Sequence, residues 1–309
     1  MNNDTNNPVY QMVRTVRNRI RDSLFKGTLD YDNSTATLKR YLTVAADMNH
    51  PLMAGQVTEL LGTIELQRGE FNTAYEYYSQ SLQYFKSYND LQRVGILLGK
   101  LGELYRVWGK PDQAAKFFER SRVNAQQAGD RRGEVITYTN EGLLWVEEGD
   151  PQLAASRLEK ALQLAQDMTV YPLIKEVLPD IYVGLAQSHL LLSNFAQAWK
   201  YANETLRLST EVNRMSQIAA AYRIMARIAA MAPELRADPA ALFEQSRSYW
   251  QQLHAKAELA KTLMLEGNYW FDENRPDQGM VCYMQAMQYY DDMKMRDRLR
   301  DVQNRLGDL

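Results

Sequence analysis

A single cysteine, Cys282, in 309 residues excludes an intramolecular disulfide and fits a reducing compartment. Proline (9) and glycine (16) are too scarce to punctuate many short strands, which favours helices. Neither sign of charge is in excess. Lys and Arg number 36 against 38 Asp and Glu, a net charge of −2, so nothing draws the whole chain toward nucleic acid or an anionic membrane. Long apolar runs are also missing. None approaches the ~20 residues that span a bilayer, and the stretch Ile218 to Met231 is broken by Arg223 and Arg227. The first seven residues, Met1 to Asn7, are polar with no apolar core, so they do not read as a signal peptide. These absences together lead us to expect a soluble, cytoplasmic protein with no membrane insertion and no nucleic-acid partner.

Residue constellations that carry chemistry are equally scarce. His50, His189 and His254 lie far apart with no i,i+4 partner, so no zinc-ligand spacing exists. His189 stands where other units carry an aromatic and reads as packing. Cys282 lies in an apolar helix with no histidine near it in sequence and reads as a buried, inert thiol. The glycines stand singly and form no phosphate-binding loop. No enzyme and no cofactor or metal is expected.

What the chain does contain is repetition. One unit carries Leu98, Leu101-Gly102, Tyr105, Gly109, Pro111, Ala114, Phe118 and Ser121. Forty residues later Tyr138, Glu141-Gly142, Trp145, Gly149, Pro151, Ala154, Leu158 and Ala161 stand at the same spacing. The small residue at the centre of the pattern recurs at Gly62, Gly102, Gly142, Ala186, Ala226 and Gly267, in steps of 40, 40, 44, 40 and 41. Paired helices that cross closely need such a residue at the crossing. Gly69, Gly109 and Gly149 are placed to end first helices in a left-handed turn. Pro111, Pro151 and Pro276 are placed to start second helices, where the missing N–H does no harm.

This pattern resembles the tetratricopeptide (TPR) helix-turn-helix repeat over residues 50–293. The usual period is 34 residues with a Pro between units. Here it is about 40 and polar joints such as Tyr88-Asn89-Asp90 replace the Pro, which is similar to the extended subclass of bacterial signalling regulators, peptide-pheromone receptors and kinesin light chains. The resemblance implies an all-α, right-handed superhelical solenoid of about six to seven helix-turn-helix repeats with terminal caps. The expected organisation is a disordered tail over 1–7, a helical pair over 8–49, the array over 50–293 and a capping helix over 294–309. The pair, with helices expected from Pro8 to Gly27 and from about Ser34 to Met48, reads either as an N-terminal cap or as a degenerate repeat. Two breaks interrupt the array. Pro179 is expected to kink or restart a helix, and a longer connection runs from Pro233 to Pro239. Each is either loop variation or a hinge.

By resemblance, the first helix of each unit lines a concave surface where a partner peptide lies. Carrying the groove positions onto this chain gives Gln56, Glu59 and Thr63, then Ile96, Lys100, Glu103 and Arg106, then Ile136, Thr139, Asn140 and Leu143. Asp180, Val183 and Gln187 follow, then Arg223 and Arg227, then Lys261, Met264 and Asn268. The surface reads acidic and polar near Glu59 and Glu103 and basic near Arg223, Arg227 and Lys261, so a bound segment is expected to place an acidic group near those three. Lys100 and Asn140 match only part of a carboxylate-clamp set, and no chaperone-tail receptor is predicted. The expected function is a non-enzymatic scaffold or adaptor for a protein or peptide. A ligand-sensing regulator, and self-assembly into a homo-oligomer through Tyr- and Met-rich surfaces, are the alternatives. Tyr75, Tyr77, Tyr84 and Tyr88, the methionines from Met280 to Met295, and the cluster Arg14, Arg17, Arg19 and Arg21 each read as packing or solvated face, or else as an interface.

Overall fold

A computed structural model describes residues 7–166 and 171–307. Every regular element among the described residues is a helix, and several start at a side-chain capping group. Asn7 accepts from the backbone N–H of Val9 and opens α1 (Pro8–Phe25). It therefore belongs to a helix rather than to the expected tail, whose other residues, 1–6, lie outside the described residues. Asp30 accepts from Asn33 N–H and opens α2 (Tyr31–Asp47), three residues before the expected start, since this aspartate supplies the cap.

Six helical hairpins follow: α3 (Pro51–Arg68) with α4 (Phe71–Ser87), α5 (Leu91–Val107) with α6 (Pro111–Ala128), and α7 (Arg131–Glu147) with α8 (Pro151–Gln166). Then come α9 (Tyr171–Leu191) with α10 (Phe195–Glu211), α11 (Met215–Met231) with α12 (Pro239–Gln252), and α13 (Lys256–Asp272) with α14 (Pro276–Asp292). A last helix, α15 (Arg296–Gly307), packs on α14. No strand occurs among the described residues. The chain is an α-helical solenoid. Pro179 lies inside α9 without restarting it, while the Pro233 connection forms a single 3-10 turn before α12.

The packing explains the repeat. A side chain at Gly62 would put its Cβ 2.6 Å from the Tyr78 ring, and one at Gly142 would meet Leu158 at 2.5 Å. Gly102 against Phe118 and Gly267 against Tyr283 are the same arrangement. In each case the bulky partner lies sixteen residues on and is buried or nearly so. Where the crossing residue is Ala186, the residue sixteen on is Ala202, so a larger crossing residue goes with a smaller partner and both are fully buried. A polar tie reinforces the crossings. Ser81 Oγ donates to Gly55 O at 2.6 Å, Ser121 Oγ to Gly95 O at 2.8 Å and Ser246 Oγ to Ala219 O at 2.8 Å. The sequence pattern asked only for a small residue there, yet the hydroxyl also fastens the second helix to the first.

The two ends of the solenoid meet. Tyr31 Oη donates to Leu253 O at 2.6 Å, and Gln67 Nε2 donates to the same carbonyl at 3.2 Å. The Tyr31 ring lies edge-on to His254, 4.9 Å between centroids. The turn at Gly27 lies against Met215, and Gly69 lies against Met293. The chain has therefore wound far enough for its first hairpins to touch its last. One buried apolar cluster accordingly includes both Phe71 and Leu97 from early helices and Leu263, Met293 and Val302 from late ones.

The side residues singled out above fall mainly on the packing side. Tyr77 and Tyr84 are partly buried against the N-terminal core, and Met293 and Met295 are buried, whereas Met280 and Met284 are exposed. His189 stacks on Tyr201, and Cys282 is buried with its thiol pushed up to about 11 by that burial. Tyr105 sits in an aromatic stack with Trp108 and Phe117.

Candidate functional site in the concave cavity

The inner helices α3, α5, α7, α9, α11 and α13 face one another across a cavity of about 470 Å³. Eleven of the nineteen groove residues expected from sequence line it: Thr63, Lys100, Glu103, Arg106, Asn140, Leu143, Asp180, Val183, Gln187, Arg223 and Lys261. The other eight lie off it, Met264 among them. Gln56 is buried and bonded to the Tyr10 hydroxyl, and Thr139 is buried and donates to Val135 O at 2.8 Å. Glu59 pairs with Lys100 at 3.6 Å beside the cavity. Asn268 is taken by the Tyr283 hydroxyl and by Arg305 at 3.5 Å. Arg227 lies one turn beyond Arg223 on α11. Ile96 and Ile136 are exposed away from the cavity.

Sequence reasoning missed Glu147, Trp250 and Glu258, all in the lining. The groove pattern assumes that every inner helix crosses the cavity at one height. In the fold the early helix α3 contributes its late residues Thr63 to Gln67, and the late helix α13 contributes its first residues Ala257 to Lys261. That drift follows from the superhelical winding. The charged residues at the start of α13 were visible, but nothing local marked them as inward-facing.

The charges inside the cavity are largely satisfied by one another. Arg106 binds Glu103 and Glu147, each at 2.7 Å, and Glu147 also binds Lys261. Arg223 binds Glu258 at 2.6 Å, lies over the Trp250 ring and donates toward Thr262. Burial alone would raise the Glu147 carboxyl, but Arg106 and Lys261 outweigh it and hold it at about 2. Glu258 is likewise pulled below its ordinary value, with Arg223 and Lys261 overcoming burial. Lys261 is lowered, because burial and the neighbouring Arg223 and Arg106 outweigh its carboxylate partners. The basic end expected from sequence is therefore corrected: Glu147 and Glu258, unseen in the pattern, neutralise Lys261 and Arg223.

Two charges on the inner helices, one lining the cavity and one off it, escape this pairing. Asp180 accepts from Gln217 Nε2 at 2.6 Å and has no ion pair among the described residues; burial pushes its carboxyl up. Arg227 has neither a hydrogen bond nor an ion pair among the described residues, and burial, with Arg223 adding to it, brings its guanidinium down to about 10. Asn140 and Gln187 make no side-chain hydrogen bond among the described residues, so their amides are available. No group of three or more His, Cys, Asp or Glu among the described residues is placed to hold a metal ion, and no described helix is long and apolar enough to cross a membrane.

Residues 54–127 match the tetratricopeptide repeat family model. That segment carries tetratricopeptide repeats. The helical solenoid is similar in fold to the crystal structure of the apo form of RapI, with a TM-score of 0.65 and 10% identity over 92% of this chain and 98% of that one. It is similar to a Rap protein complexed with competence and sporulation factor, with a TM-score of 0.66 and 12% identity over 97% and 87%. It is also similar to NprR in complex with its cognate peptide NprX, with a TM-score of 0.61 and 15% identity over 95% and 88%. A comparison with curated proteins finds no match. At these identities the likeness is one of fold. The helical-solenoid likeness spans nearly the whole chain.

Proposed function

We propose that this TPR protein is a non-catalytic interaction module that holds a peptide segment of its partner in the concave cavity. The observation that carries this reading is the cavity itself: about 470 Å³, lined by the inner helices of all six hairpins. That size is within the usual range for ligand pockets. Leu143, Val183 and Trp250 supply apolar wall, and the amides of Asn140 and Gln187 suit an extended backbone. Two proteins of the same fold were crystallised with a peptide or signalling factor bound, which is consistent with this use of the fold.

The test is a displayed library of random dodecapeptides selected on the purified protein. Peptides should be enriched, and their binding should fall at least tenfold when Gln187→Trp or Asn140→Trp fills the cavity. Enriched peptides that bind both filled variants as well as the parent would place binding elsewhere and sink the reading.

The contacts that join the two ends favour a second reading, a ligand-sensing regulator. Cavity occupancy would then alter the Tyr31–Leu253 junction and the dimensions of the superhelix. Small-angle scattering with and without an enriched peptide decides it, since unchanged dimensions leave only the scaffold.

A further inference from the structure

Among the described residues, every cation that lines the cavity meets a carboxylate of this chain, but one lining carboxylate meets no cation. Lys100 reaches Glu59 at 3.6 Å. Arg106 pairs with Glu103 and Glu147, Lys261 shares Glu147, and Arg223 pairs with Glu258. Asp180 remains: it lines the cavity, and its partner Gln217 is neutral. We infer that Asp180 is a recognition site for an organic cation, and that the segment held in the cavity carries an ammonium or guanidinium group there. The inference rests on the peptide-binding reading above and names the chemistry of the ligand.

The carboxylate is held in place by neutral groups. Gln217 Nε2 donates to Asp180 Oδ1 at 2.6 Å, and Ser216 Oγ donates to Gln217 Oε1 at 2.7 Å. All three residues line the cavity. The hydroxyl fixes the amide, and the amide fixes the carboxylate. Asp180 Oδ2 makes no hydrogen bond among the described residues, so one oxygen stays open to a ligand. Val183 and Gln187 stand three and seven residues further along α9 and line the cavity too, so this whole face of the helix turns inward.

The fold brings positive charge toward Asp180 without pairing it. Arg214 and Arg106 act on the carboxylate from beyond ion-pair distance, and burial prevails over both and pushes it up. A desolvated carboxylate with a neutral partner gains more from a charged donor than from another neutral one. The paired groups of the cavity select poorly by comparison, because a ligand charge must first break an existing ion pair.

The same geometry favours an organic cation over a metal ion. Gln217 turns its amide nitrogen toward the carboxylate, and its oxygen is taken by Ser216. No group of three or more His, Cys, Asp or Glu among the described residues completes a ligand set. A metal ion would find one carboxylate where it needs several oxygens. An ammonium or guanidinium needs only the acceptor, and Leu143 and Val183 give the cavity apolar wall for an aliphatic stem.

Four pools of octapeptide amides test this. In three the amino terminus is acetylated and one position is Lys, Glu or Gln; the fourth has Gln and a free amino terminus. The other positions are drawn from Ala, Leu, Ser and Tyr. Retention on the immobilised full chain is measured at pH 7 for the parent, Asp180→Asn and Asp180→Ser, with folding checked by circular dichroism. The parent should retain the Lys pool, the free-terminus pool or both at least tenfold better than the acetylated Gln pool, and the Glu pool no better than Gln. Which of the two is retained tells side chain from terminus. Both variants should lose that advantage and keep their retention of the Gln pool. The comparison among pools on the parent needs no variant. Equal retention of the four pools by the parent, or a preference for Glu, overturns the inference and leaves peptide binding standing. So does an advantage that survives in a folded variant, or the loss of every pool by both folded variants. Retention of no pool by the parent overturns the peptide-binding reading together with it.

Discussion

Glu147 on α7 and Lys261 on α13 are ion-paired across the cavity although 114 residues separate them in the chain. Arg106 binds the same carboxylate oxygen, so one anion ties three inner helices together. Removing it strands Lys261 and leaves Arg106 with Glu103 alone. Glu147→Gln should therefore cost about 3 kcal/mol. Lys261→Met should cost much less, because Arg106 keeps the carboxylate paired and a desolvated ammonium is lost. Paired denaturant titrations check this, and equal costs would contradict the shared-anion arrangement.

The same carboxylate makes stability depend on acid. Its folded value of about 2 lies below the ordinary 4.5. A depressed carboxyl contributes stability that is fully present above the unfolded value and is lost as pH falls toward the folded one. Between pH 4.5 and pH 2 the midpoint of thermal unfolding should fall more steeply in the parent than in Glu147→Gln. Parallel slopes would show that other carboxylates carry the acid sensitivity.

Asp180 should behave in the opposite sense. Its carboxyl is raised in the fold, so its charged form costs stability at neutral pH and that cost is relieved as pH falls. Asp180→Asn should raise the thermal midpoint by about 2 °C at pH 7. Arg227→Met should also raise it, since the charge removed is desolvated and unpaired. Calorimetry at pH 7 reads both effects.

The crossing glycines can be tested by exchange. Gly102→Ala drives a Cβ into the Phe118 ring and should destabilise the chain by about 2 kcal/mol. Adding Phe118→Ala copies the Ala186/Ala202 arrangement. The double variant should be more stable than the sum of the two single costs predicts. Strict additivity would mean that crossing residue and partner are not matched.

Much of this architecture was legible in the sequence because the packing rule is local. Gly62 predicts a close crossing wherever its ridge meets a partner, and Tyr78 sits at a fixed offset from it. Caps were equally readable from Gly69 and Pro111. The candidate site was legible only in part. A repeat pattern gives the face of each helix but not its height in the superhelix, and so it admitted Gln56 and Thr139, which are buried by neighbours, and omitted Glu147 and Glu258. Pairing is a property of the assembled cavity. Nothing local distinguishes Arg223, which is neutralised, from Arg227, which is not.

The junction of Tyr31 with Leu253 changes how the molecule should come apart. An open stack of repeats frays from its ends, and each unit depends only on its neighbours. Here the ends brace each other, so the stack behaves as a closed circuit. Breaking the circuit at one point, with Tyr31→Phe and Gln67→Ala together, should speed amide exchange in α13 and α14 as much as in α2 and α3, although only the latter two helices carry the changes. The first helices of the chain would then be guarantors of the last.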